Sequence, residues 1–116
     1  MDQATQRIIQ ELVPGKQLTL AHIIANPACS LYKALSIAKL AGQNAIGIFT
    51  ITPPETAIIL ADIAVKSSGS HILSADRING SLVISGNVSE VEAAADAMLT
   101  YVKDTLGFEV CGLTKT

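Results

Sequence analysis

The chain has 116 residues, of which 49% are hydrophobic, 16% charged and 3% aromatic. This length suits one domain with its own core. A subunit this apolar is expected to expose a larger hydrophobic patch than soluble monomers usually have. Burying that patch between copies predicts an obligate oligomer. The net charge of −2 and the few aromatic residues argue against nucleic-acid binding. No apolar run approaches the ~18 residues of a membrane span, so we expect a cytoplasmic protein without a membrane partner.

The first elements are predicted to be two strands. A short strand covers about residues 7–13 and is closed by a Pro-Gly turn. The next strand covers residues 17–24, where the alternation of apolar and other residues places Leu18, Leu20 and Ile24 on one face.

A short helix is predicted next, followed by a strand at residues 45–51 that is apolar enough to be buried on both faces. The apolar face of that helix comprises Leu31, Ala34, Leu35 and Ala38. Gly47 within the strand predicts the close approach of a neighbouring backbone. Thr52 and Glu55 enclose two prolines, a pattern typical of a capping box at the start of a helix, which is predicted to end at Ser67.

A β-hairpin is predicted from two further strands at residues 71–77 and 81–85. The Asn79-Gly80 pair between them readily supplies the positive φ angles of a tight turn.

The most regular helical pattern follows a second capping-box motif, Asn87 with Glu90. Apolar residues then recur on one face as far as Gly107, a typical helix end. A last strand is predicted at residues 108–113. The order β-β-α-β-α-β-β-α-β indicates an α+β domain with a ferredoxin-like, split βαβ sheet and helices on one side.

Residues that could support catalysis do not form a recognisable motif. His22 and His71 have no acidic residue or cysteine at a spacing that would assemble a metal site or triad, so structural or hydrogen-bonded roles are expected. Cys29 and Cys111 are too far apart for a CxxC pair and are expected to be buried free thiols. The glycines do not form a phosphate-binding fingerprint. We therefore expect no enzyme activity, no cofactor and no metal.

Residues 45–97, AIGIFTITPPETAIILADIAVKSSGSHILSADRINGSLVISGNVSEVEAAADA, resemble the core of the bacterial microcompartment (BMC) shell domain. They keep its order of a strand opening on Ala-x-Gly, a helix with Ala-Asp-x-x-x-Lys, a hairpin and Gly-Asx-Val. In the ordinary family a strand like LAHIIANP follows this core, whereas here residues 20–27 precede it. That order, with the opening RIIQELVPGKQLTLAHIIANP, resembles the circularly permuted branch found with ethanolamine, propanediol and choline utilisation.

The resemblance implies a structural subunit that forms homohexamers, and the hexamers tile with other shell proteins into the facets of a microcompartment shell. The permuted BMC domain would comprise residues 14–116. Residues 1–13 would supply an extra strand that joins five others in a small barrel over a central pore. Encapsulated enzymes or their targeting peptides are further implied partners. The axial strand comprises Gln6, Arg7, Ile8, Ile9, Gln10, Glu11, Leu12 and Val13.

The resemblance also implies positions for the pore and the outer edge of the ring. Lys66, Asn26 and Pro27 match the hexamer–hexamer edge, and Asn26 stands where the family has an arginine. An ordinary solvated lysine in the last turn of a helix is the alternative interpretation of Lys66. The pore loop comprises Asp76, Arg77, Ile78, Asn79, Gly80 and Ser81.

Six copies of this loop would form a polar constriction that favours small polar metabolites, with amides, Asn79 and Ser81 around the opening. A plain hairpin turn is compatible with the same residues. No cysteine lies in the loop, so no iron–sulfur cluster is expected. A small-molecule-sensing regulatory oligomer of ferredoxin-like topology is the alternative function, and an enzyme is the least favoured one.

Overall fold

The computed structural model describes residues 16–39 and 42–116, so the strand predicted at residues 7–13 lies outside the described part. Three helices and six strands are present in the described residues. The helices are α1 (Cys29–Ala34), α2 (Thr56–Ser67) and α3 (Val88–Asp104). The strands are β1 (Gln17–Ala25), β2 (Ala45–Thr52), β3 (His71–Asp76), β4 (Ser81–Gly86), β5 (Glu109–Val110) and β6 (Thr114–Lys115).

All six of these strands belong to one sheet. Its order is β3-β4-β2-β1-β5, and β6 also pairs with β1. The pairs β1–β2, β2–β4 and β3–β4 are antiparallel, whereas β5 and β6 run parallel to β1. Helix α2 connects β2 to β3, and β4 lies between those two strands. This is the predicted split βαβ arrangement.

The two long helices pack against one face of the sheet and bury the core. Phe49 of β2, Ile84 of β4 and Val91 of α3 are each fully buried there. A Cβ built on Gly47 would lie 2.9 Å from atoms of both Phe49 and Val91. The prediction of a neighbouring backbone at Gly47 is therefore wrong, because side chains fill the space instead. Glycine leaves room for the ring of Phe49.

The chain that follows α1 lies on the opposite face of the sheet. Val83 alternates with two core residues of β4, so its side chain points away from the core. It lines a half-open cavity of about 150 Å³ together with Leu35 and Ile37. The prediction that helices occupy one side therefore applies to α2 and α3 but not to the α1 region.

Helix α1 buries a different residue from those predicted. It has six residues, Cys29–Ala34, and Tyr32 is its buried one. Leu35 is 51% exposed, and Ala34 and Ala38 are exposed as well. Because Leu35 and Ala38 follow the end of the helix, they cannot continue an apolar face on it, and the predicted face is wrong.

Strand β1 presents a different apolar face from the predicted one. Its pairing with β2 has a register irregularity between Leu18 and Leu20. Such a bulge inserts an extra residue and reverses the alternation beyond it. Leu18, Ala21 and Ile23 consequently face the core, whereas Leu20 is 41% exposed on the other face.

The two predicted capping boxes have different outcomes. At α3 the motif is confirmed, since the Asn87 side chain accepts a hydrogen bond from the Glu90 N–H at 2.8 Å, and Glu90 Oε1 accepts from the Asn87 N–H at 2.9 Å. At α2 it is wrong, because Thr52 remains in β2, paired with Gln17. Helix α2 begins after Glu55, which makes no side-chain cap.

The strand predicted at residues 108–113 is shorter in the structure, where β5 covers only Glu109–Val110, and an additional short strand, β6, follows the predicted range. β5 pairs with Gln17 and Leu18, and β6 pairs with His22 and Ile23. Residues 111–113 lie between them and belong to neither strand. The interruption faces the bulged part of β1, where the ladder is irregular.

Candidate pore loop and assembly edge

The predicted pore loop is a turn organised around the carboxylate of Asp76. Its Oδ1 accepts hydrogen bonds from the N–H groups of Ile78 at 2.8 Å and Asn79 at 3.0 Å. Its Oδ2 accepts from Asn79 Nδ2 at 2.8 Å. The bonds from the Asn79 backbone, the Asn79 side chain and the Ile78 backbone lower the pKa of Asp76. These three hydrogen bonds connect the Asp76 carboxylate to the two residues at the tip of the turn.

Gly80 attaches this turn to the end of β2. It has a φ of +78°, whereas Asn79 is not among the residues with positive φ, so the predicted Asn-Gly turn with two positive angles is wrong. The Gly80 carbonyl accepts a hydrogen bond from the Ile51 N–H at 2.8 Å. A Cβ on Gly80 would lie 2.1 Å from the Ile51 oxygen, so the contact requires glycine.

The tip of the turn is more apolar than predicted. Ile78 is 72% exposed, more than any other large hydrophobic residue in the described part of the chain. Asn79 is exposed too, but its amide N–H is bonded to Asp76 within the same turn. Ser81 is only half-buried, and Arg77 is exposed. A ring of these loops would thus present Ile78 and Arg77 beside the predicted polar groups.

The predicted edge residues have unequal access to a partner. Lys66 is exposed and forms an i,i+4 ion pair with Asp62, at 2.9 Å from Nζ to Oδ2. The hydrogen bond from Asp62 raises the pKa of Lys66. Asn26 is exposed with a φ of +52°, and its N–H donates to the Asn44 carbonyl at 2.7 Å. Pro27 is buried, so a direct edge contact by its ring is not available in this subunit.

The structure places these two sets of residues at opposite ends of the sheet. The turn joins β3 and β4 at one end. At the other end β1 finishes at Ala25 opposite Ala45, and Asn26 follows directly. Helix α2 runs from the end of β2 to the beginning of β3, which brings Lys66 to the same end as Asn26. Six strand residues separate the two ends by about 20 Å.

Helix α2 also carries an exposed apolar surface that the sequence analysis missed. Ile58, Ile59 and Val65 are 53%, 41% and 51% exposed, and they lie on the same helix as Asp62 and Lys66. The sequence feature that could have indicated this surface is the apolar run that begins at residue 57. Such a run predicts a buried helix, but it does not show which side chains remain at the surface.

The histidines and cysteines have separate environments. His22 Nδ1 lies 2.5 Å from Thr114 Oγ1, and Nε2 lies 3.0 Å from Thr116 Oγ1, so the predicted hydrogen-bonded role of His22 is confirmed. Cys29 is exposed and Cys111 is half-buried, which makes the prediction of buried thiols wrong. Cys29 begins a surface helix, and Cys111 lies in the gap between β5 and β6. Both are free thiols.

Across residues 16–39 and 42–116, no three or more His, Cys, Asp or Glu side chains are grouped so that they could hold a metal ion. None of the helices in this part of the chain has the length and apolar character needed to cross a membrane.

The sequence profile of the BMC domain matches residues 45–112, more than half of the chain. The chain therefore belongs to the BMC-domain family, that of the bacterial microcompartment shell proteins, as the sequence motifs predicted. Its function is that of a structural subunit of a microcompartment shell.

Individual relatives support the same assignment over almost the whole length. The chain is 47% identical over 110 residues to bacterial microcompartment shell protein CutR of Streptococcus intermedius, covering 95% of this chain and 92% of CutR. Shell protein PduU of Salmonella typhimurium is 46% identical over 112 residues, with 97% and 95% coverage. Shell protein EutS of the same organism is 49% identical over 111 residues, with 96% and 97% coverage.

Solved structures of CutR are similar to this subunit. A flat hexamer of CutR, form 1, aligns with a TM-score of 0.83 and 47% identity, covering 95% of this chain and 99% of that one. A screw form of CutR with a 41.9 Å pitch aligns with a TM-score of 0.81 and 44% identity, covering 89% and 100%. The CutR subunit is therefore found in two assemblies, a flat hexamer and a screw.

Proposed function

We propose that this chain assembles into homohexamers that tile edge to edge with other shell proteins. In each ring the turn at residues 77–80 surrounds a central pore, and Lys66 and Asn26 lie at the outer edge. The observation that carries this proposal is the separation of the two sets by the length of the sheet. A subunit of a ring needs one end toward the axis and the other toward the next ring. The flat hexamer of CutR supports the ring, since that relative has a similar subunit fold.

We also propose that the BMC domain of this chain is circularly permuted. The family match begins with β2, yet β1 lies beside β2 in the sheet. The Glu109 N–H donates to the Lys16 carbonyl at 3.1 Å, so the chain that leaves α3 passes the beginning of β1. If the chain were joined there, from the end of α3 to the beginning of β1, β1 would follow α3 in the sequence and neither element would have to move. This proximity supports the permutation.

A further part of the proposal concerns residues 1–13, which lie outside the described residues. We propose that they form the axial strand over the pore and that residues 14–116 form the permuted domain. The support is the place where the described chain begins. Gln17 pairs with Thr52, and the neighbouring Ile51 is bonded to Gly80. The described chain therefore begins at the pore-loop end of the sheet.

Deletion of residues 1–13 tests this part. The shortened chain should still form hexamers, because the deleted residues precede every element of the described core. Native mass spectrometry measures the ring directly. A shortened chain that fails to fold, shown by loss of its circular dichroism signal, would instead assign these residues to the core sheet.

Substitution of Lys66 tests the outer edge. Lys66→Asp should stop growth into sheets but leave the ring intact, because it reverses one charge at the outer end and adds repulsion with Asp62. Electron microscopy shows the sheets, and native mass spectrometry counts the subunits of the ring. Lys103→Asp is the matched control, since Lys103 is an exposed lysine in the last turn of α3.

The possible results separate the two parts of the hexamer proposal. If Lys66→Asp dissociates into monomers, Lys66 lies between subunits of one ring and not at its outer edge. If Lys103→Asp abolishes sheets as well, the effect is one of net charge. A native chain that is a dimer or trimer at working concentration would contradict the hexamer itself.

A further inference from the structure

Residues 113–116, which include β6, occupy a defined groove on the edge of β1 that faces away from β2. We call residues 113–116 the tail, and we call the groove formed by His22, Ile23, Ala25 and Glu92 the tail slot. The Thr116 N–H donates to the Ile23 carbonyl at 2.9 Å, and the Ala25 N–H donates to the Thr116 carbonyl at 2.9 Å. These bonds close an edge of the sheet that would otherwise be open to another strand.

The tail slot also contacts three consecutive side chains. The two ring nitrogens of His22 bond the hydroxyls of Thr114 and Thr116, which lie on one side of the tail because they are two residues apart. Hydroxyls both donate and accept, so either tautomer of His22 can keep both bonds. Lys115 forms an ion pair with Glu92 of α3. The slot is therefore complementary to an extended Thr-Lys-Thr sequence.

The tail is connected to the domain by a segment outside the strands, whose Cys111 N–H donates to the Leu18 carbonyl at 3.0 Å. Residues 111–113 belong to neither β5 nor β6. A Cβ built on Gly112 would meet no atom within 4 Å, so nothing packs against that side of the backbone. Leu113 packs partly against the core and can act as the anchor of the tail. A change of direction at Gly112 would release the tail as a unit.

We propose that the tail slot is a binding site between copies of this chain, in which the tail of one subunit occupies the slot of its neighbour. Each copy carries both the Thr-Lys-Thr tail and the slot that fits it. An exchanged tail makes the same contacts as a resident one, so only the direction of the hinge differs, which makes such exchange a low-cost route to association. The four residues after Gly112 span at most about 14 Å, so donor and acceptor must be direct neighbours.

Disulfide trapping between two full-length variants tests this proposal. His22 lies opposite Thr114, and this register places Ile24 opposite Thr116. Ile24→Cys is introduced in one chain and Thr116→Cys in another, both with Cys29→Ser and Cys111→Ser. Neither chain can then form a disulfide within itself. The two are mixed under reducing conditions, oxidised, and separated on a non-reducing gel, where exchange yields a covalent dimer.

Two controls test whether the disulfide forms through the tail slot. In the first, Ser74→Cys replaces Ile24→Cys, because Ser74 is exposed on β3 at the far side of the sheet. The Ile24 mixture should give at least about tenfold more dimer than this control. In the second, His22→Ala is added to the Ile24→Cys chain, which should reduce the yield several-fold, since the Thr114 hydroxyl of the exchanged tail loses its partner.

The outcomes that would overturn the proposal are equally specific. A dimer yield no higher than that of the Ser74 control means that tails stay in their own slots. A yield that His22→Ala leaves unchanged means that the cysteines meet without use of the slot. Neither result depends on whether the native assembly is a hexamer, so this proposal and the proposed function can fail separately.

Discussion

The two faces of the sheet are built in different ways. On the face covered by α2 and α3, Phe49, Ile84 and Val91 are fully buried and close enough to require glycine at position 47. On the open face Leu20 is 41% exposed, and a cavity of about 150 Å³ remains beside Leu35. The covered face therefore holds the subunit together. The open face keeps apolar surface for contacts outside it, in agreement with the oligomer expected from composition.

The largest predicted effect contrasts one residue from each face. Phe49→Ala should lower the free energy of unfolding by about 3–5 kcal/mol, because it leaves a cavity in a fully packed region. Leu20→Ala should lower it by less than about 1 kcal/mol, since its side chain is partly solvated already. Urea unfolding at one fixed protein concentration measures both. Equal losses would mean that the open face is as important to the folded subunit as the covered one.

The sequence predicted the apolar face of β1 from alternation, and it failed where the alternation is interrupted. β2 was assigned as buried on both faces; Phe49 and Ile51 are buried on the covered face, whereas Ile48 and Thr50 on the other face are only half-buried. In β1, Leu18 and Leu20 fit a regular strand, but the bulge between them changes which side each residue faces. A bulge is stabilised by its pairing partners, here β2, and those pairings are not visible within the strand's own sequence.

The site was predicted from family motifs more than from residue patterns. Alternation and capping located the elements that carry Lys66 and the turn at residues 77–80. Their roles in a ring came from the resemblance, because a single subunit's sequence contains no distance between its two ends. The exposure of Ile78 and the burial of Pro27 depend on how the hairpin and the β1–α1 connection pack, so neither could be predicted locally.

The second prediction concerns the glycine beneath the covered face. Gly47→Ala should destabilise the subunit by about 1–3 kcal/mol, because the new methyl group would lie 2.9 Å from Phe49 and Val91 atoms in a packed core. Gly112→Ala is the matched control and should change the free energy of unfolding by less than about 0.5 kcal/mol, since its Cβ would meet nothing within 4 Å. Thermal unfolding followed by circular dichroism compares the two. A neutral Gly47→Ala would show that α3 can move away from the sheet at little cost.

The smallest predicted effect concerns how the helices of the covered face begin. Asn87→Ala should cost about 1 kcal/mol, because it removes the acceptor for the Glu90 N–H at the start of α3. Thr52→Ala should cost less than about 0.5 kcal/mol, although Thr52 occupies the same position in a similar sequence motif. Its backbone belongs to β2, and no side-chain cap forms at α2. Urea unfolding of the two variants compares a capping motif that forms with one that does not. Equal losses of unfolding free energy would mean that Thr52 supports α2 by a contact other than capping.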